Sequence, residues 1–121
     1  MTVLQCSLFA LLLTVTPAVA TPSGLAETFA ACVGRLEASY APREEIDAMQ
    51  DLLGAAMPAA LDWGMPEGHV KVVRSRAWKV QRTLQSSAAF ATDPIAARNA
   101  RTAATEALES CRSMLPMADA G

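Results

Sequence analysis

At 121 residues the chain has room for one domain at most, and its formal net charge of −2 argues against a nucleic-acid partner. The apolar content of 52% overstates the core, because part of it sits at the N-terminus and much of the rest is alanine. With aromatics at only 5%, a core rich in large rings is excluded. Stability must come instead from close helix packing or a covalent staple.

Residues 1–20 read as a cleavable signal peptide. Leu8 to Val15 is almost unbroken apolar, Pro17 breaks it, and Ala18-Val19-Ala20 makes a small-x-small cleavage site. The segment is too short to span a bilayer. It departs from the pattern in one respect, since no Lys or Arg precedes the apolar run. Cys6 precedes that run, whereas a lipid-modified cysteine should follow it. The competing reading is a buried N-terminal helix of the folded domain. With the leader removed, residues 21–121 form a single domain expected to be soluble.

Loss of the leader removes Cys6 and leaves Cys32 and Cys111, an even number in an exported chain. We expect them to pair rather than persist as two buried thiols. Closing a loop of that length lowers the entropy of the unfolded chain by roughly 4 to 5 kcal/mol in free-energy terms.

The first helix is expected from about Leu25 to Tyr40, capped by Ser23, with Leu25, Phe29, Cys32, Val33, Leu36 and Tyr40 on its buried face. The second opens at Pro42-Arg43-Glu44-Glu45, a proline start with carboxylates in the first turn. Its face continues through Ile46, Met49, Leu53 and Met57, and Pro58 ends or kinks it. Residues 59–67 read as a loop, with Trp63 a lid over one end of the bundle. The third helix runs from near Pro66 to Phe90, with a seam of Val70, Val73, Ala77, Val80 and Leu84. Thr92-Asp93-Pro94 then caps a fourth helix reaching about Leu115, with Ala97, Ala100, Ala104, Leu108, Cys111 and Leu115 on its best face.

Four helices with short connections and no alternating segment make the expected fold all-α, a small up-down four-helix bundle closed by one disulfide. That topology sets the end of the last helix beside the first, which suits a bond between Cys32 and Cys111.

Charge is uneven. Residues 21–67 carry two cations against eight carboxylates, and residues 68–121 carry eight cations against four. The third helix holds Lys71, Arg74, Arg76, Lys79 and Arg82 with no acid after Glu67. This charge could serve a neighbouring acidic helix, and the second helix is the expected neighbour. The matching charge signs favour that pairing; the competing reading presents a basic surface to an anionic envelope component or an acidic protein. Trp78 shares a face with Lys71, Arg74 and Arg82, and Arg74 and Arg82 stand one turn to either side of it. Arginine over indole is a cation–π arrangement common at binding hot spots. Lys71, Arg74, Trp78 and Arg82 therefore form the candidate partner-binding patch. The competing reading packs Trp78 into a wide core stripe.

Catalytic motifs are missing. There is no glycine-flanked nucleophilic serine, no His-Glu-x-x-His and no phosphate-binding glycine loop. No cofactor is assigned, and no metal. The alternative is a periplasmic haem- or copper-binding bundle with His69 and Met65 as weak candidate ligands; the chain also offers Met49, Met57, Met114 and Met117. Attachment of haem through Cys-x-x-Cys-His is excluded. The expectation is a periplasmic or secreted, non-catalytic binding module. Eight arginines against two lysines, with heavy alanine use, suit a bacterial source.

Overall fold

A computed structural model describes residues 21–116. The expected leader and Met117 lie outside the described residues. The chain forms four helices, α1 (Pro22–Ala38), α2 (Arg43–Asp62), α3 (His69–Phe90) and α4 (Pro94–Arg112), packed as a compact bundle with no strand among the described residues.

The ends of the helices show how local chemistry sets them. Thr21, rather than Ser23, caps α1: its Oγ1 accepts from the backbone N–H of Gly24 at 3.0 Å. Pro22, which has no N–H to satisfy, suits the first helical position just after that cap. Asp93 caps α4, as its sequence suggests, by accepting from Ile95 N–H at 3.1 Å. Pro58 does not stop α2, which continues to Asp62. The carbonyl that loses its partner there belongs to Gly54; both residues are exposed, so water can serve it.

Two helices end in the same way. After α2, Gly64 takes φ +96°, its N–H donates to Leu61 O, and Met65 N–H reaches back to Ala60 O at 3.1 Å. After α1, Tyr40 N–H donates to Glu37 O and Ala41 N–H to Leu36 O at 3.0 Å. This is the left-handed closure that glycine ordinarily supplies. In α1 the left-handed residue is Tyr40, at φ +53°.

Helix α1 is the centre of the bundle and packs against all three others. Its contacts with α3 advance in step along both helices, from Glu27–His69 through Glu37–Arg74 and Ala38–Arg82 to Ser39–Gln85, so the two run parallel. They approach closely because α1 presents Ala26, Ala30, Gly34 and Ala38, four small residues one turn apart and all buried. A Cβ at Gly34 would overlap the carbonyl oxygen of Arg74. Helix α2 flanks α1 elsewhere and shares no comparable interface with α3. The expected pairing of basic α3 with acidic α2 is therefore replaced by pairing of α3 with α1.

The larger core cluster joins Cys32, Val33 and Leu36 of α1 to Ile46 and Met49 of α2, and to Cys111 and Leu115. The Cys32–Cys111 disulfide crosses it with 5.4 Å between the two Cα atoms. A second cluster closes the opposite end around Ala26, Ala60 and Met65. Met65 fills the place expected of Trp63, whose side chain stays exposed. Leu25 and Tyr40 likewise leave the expected buried face of α1.

The seam of α3 is rotated from its expected position. Val80 is exposed, and Gln81, at 1% exposure, takes its place. Gln81 Nε2 donates to Ala104 O across the α3–α4 interface at 3.2 Å, which satisfies its buried amide. Ala100 and Ala104 of α4 are small enough to admit it. Helix α4 ends at Arg112, short of Leu115, though Leu115 is buried as expected.

Candidate binding surface on helix α3

Parallel packing of α3 on α1 brings Lys71, Arg74, Trp78 and Arg82 to one edge of α3, beside the end of α1. Arg74 spends its guanidinium on Glu37 of α1, donating from Nε at 2.7 Å and from Nη2 at 2.6 Å. The pair is bidentate but half exposed, worth at most about 1 kcal/mol. Its main effect is to hold Arg74 flat along the α1–α3 seam, so Arg74 serves the fold where the sequence suggested a contact with the indole.

Arg82 meets the aromatic expectation. Its guanidinium carbon stands 5.7 Å from the Trp78 ring centre and 5.5 Å from that of Tyr40. Nη1 also reaches Ala38 O at the end of α1, at a long 3.4 Å. Arg82 thus bridges two rings, one on α3 and one in the turn after α1. Trp78 is 42% exposed and Tyr40 82% exposed, so both rings remain open to a partner. Helical spacing alone places Tyr40 on the core face of α1, and the structure leaves it exposed. No pattern of spacing reveals that it is displaced into a left-handed turn, because that depends on where α1 stops.

Two shallow depressions lie side by side on this surface. One, of about 340 Å³, is lined by Glu37, Lys71, Arg74, Ser75 and Trp78. The other, of about 410 Å³, is lined by Lys71, Val72, Ser75, Arg76 and Lys79. Lys71, Arg76 and Lys79 take no carboxylate partner among the described residues. The acids of α1 meet only Arg74 and His69, and Glu45 of α2 meets Arg112 of α4 at 3.0 Å.

No family model, curated protein or solved structure matches the chain.

The weak metal candidates are placed apart in role. His69 Nε2 lies 2.9 Å from Glu27 Oε1, joining the start of α3 to α1. Met65 is folded into the second core cluster with Ala26 and Ala60. Among the described residues no three His, Cys, Asp or Glu side chains gather as a metal site. Arg35 Nη1 approaches Cys111 Sγ at 3.8 Å, covering the disulfide.

Proposed function

We propose that this protein is an exported, non-catalytic binding module of the bacterial cell envelope that captures an anionic partner through the outer face of α3. The observation that carries the reading is the set of unneutralised cations at Lys71, Arg76 and Lys79, next to the open Tyr40–Arg82–Trp78 cluster. A basic face kept for solubility alone would have no reason to hold two exposed rings around one guanidinium. Tyr40 supports the same reading. A non-glycine aromatic held at positive φ carries backbone strain, and such strain concentrates where a side chain is needed. The Cys32–Cys111 bond suits an oxidising compartment. No helix among the described residues is long and apolar enough to cross a membrane.

The test is capture of soluble and immobilised polyanions by the wild-type chain and by the Trp78→Ala/Arg82→Ala double variant. The wild type should bind and the variant should lose capture with helical circular dichroism unchanged. Failure of the wild type to bind any polyanion, or unfolding of the double variant, would overturn the reading.

A further inference from the structure

Resting on that reading, we propose that the anionic partner is a phospholipid bilayer surface, on which the protein lies with α3 against the head groups. The outward line of α3 carries more than charge. Val72, Lys79, Ser86 and Phe90 recur at seven, seven and four residues, the spacing of a single helix face. Val72 is 52% and Phe90 80% exposed, and Arg76 stands beside this line while Lys79 lies on it. Trp78 and Tyr40 stand on the edge towards α1. A soluble polyanion would use the cations and leave Val72 and Phe90 idle. A bilayer interface uses both, taking the cations at its phosphates and the apolar and aromatic side chains at the boundary of the acyl region.

The rest of the molecule is charged so as to orient this face. Four exposed acids, Glu44, Asp47, Asp51 and Asp62, sit on α2 with α1 between α2 and α3, whereas on α4 the exposed Glu106 and Glu109 are offset by Arg98 and Arg101, and Glu67 and Asp93 lie in the turns. Near a negatively charged surface the acidic flank is repelled and α3 is turned inward. The short serines Ser75 and Ser86, between the longer side chains, leave room for head groups to approach the helix. The binding expected is peripheral, reversible and salt-sensitive.

The experiment is co-sedimentation of the chain with vesicles of phosphatidylcholine alone, and with vesicles containing phosphatidylglycerol, set beside binding to soluble poly-glutamate. The chain should sediment with the anionic vesicles, stay in solution with the neutral ones, and release as salt is raised. Each surface cation near an anionic bilayer contributes roughly fivefold in partitioning, so Lys71→Gln/Arg76→Gln/Lys79→Gln should weaken binding on the order of a hundredfold. Phe90→Ser, at an exposed helix end, should weaken vesicle binding severalfold and leave poly-glutamate binding unchanged. Capture of poly-glutamate without capture of anionic vesicles, or indifference of vesicle binding to Phe90→Ser, would overturn the bilayer inference while the binding-module reading stands. Binding to neither would overturn both.

Discussion

The carbonyl oxygen of Arg74 in α3 occupies the space that the first side-chain carbon of any larger residue would need at Gly34 in α1. Trp78 N stands only 3.1 Å from the same point, so the contact is backbone against backbone and cannot be relieved by a rotamer change. Glycine inside a helix ordinarily costs about 1 kcal/mol relative to alanine, and here the exchange is reversed. Gly34→Ala should lower the stability of the domain by about 1 to 3 kcal/mol, through forced separation of α1 and α3. Urea unfolding reads the sign directly, and a stabilised variant would contradict the close approach.

Tyr40 predicts the opposite balance. Left-handed backbone costs a non-glycine residue about 1 to 2 kcal/mol, and glycine at this turn removes the strain. Tyr40→Gly should therefore raise the midpoint of thermal unfolding. The same substitution deletes one of the two rings around Arg82, so binding to anionic vesicles should fall. A variant that gained neither stability nor lost binding would show that the turn is unstrained and the ring unused.

The disulfide supports the thinnest of the three interfaces that α1 makes, the one with α4. Replacing both Cys32 and Cys111 by serine should cost about 4 to 5 kcal/mol, since the bond closes nearly the whole domain. Small domains hold about 5 to 15 kcal/mol in all, so the double variant should lose from about a third of its stability to nearly all of it. Circular dichroism of the double variant, or of the wild type with a reductant, measures this.

Gln81 separates shape from polarity. Its buried amide donates to the Ala104 carbonyl of α4. Gln81→Leu removes the donor and keeps the volume, so the cost should stay within about 1 kcal/mol. Gln81→Ala leaves a void between α3 and α4 and should cost about 2 kcal/mol or more. Denaturant midpoints of the two variants settle which property matters.

Much of this architecture is legible in the chain because it rests on local rules. Asp93-Pro94 starts α4, the carboxylates after Pro42 start α2, and two cysteines in the domain find each other. The patch on α3 is legible for the same reason, since Trp78 and Arg82 are one turn apart on a single helix. What escapes is whatever depends on which helices become neighbours. A ridge of Ala26, Ala30, Gly34 and Ala38 has almost no apolar signal, yet it decides that α1 and α3 pack most closely. That pairing in turn rotates α3, exposes Val80 and buries Gln81. Tyr40 joins the site only through the third dimension, because its partner Arg82 is 42 residues further on in the chain.

The turn between α2 and α3 is exposed at Trp63, Gly64, Glu67 and Gly68, the kind of segment that proteases cut. A cut there falls between Cys32 and Cys111, so it divides the polypeptide into two helical hairpins still held together by sulfur. The nicked protein should run as one species on a non-reducing gel and as two once reduced. Its lifetime would then be set by the redox state of its surroundings rather than by the first proteolytic cut.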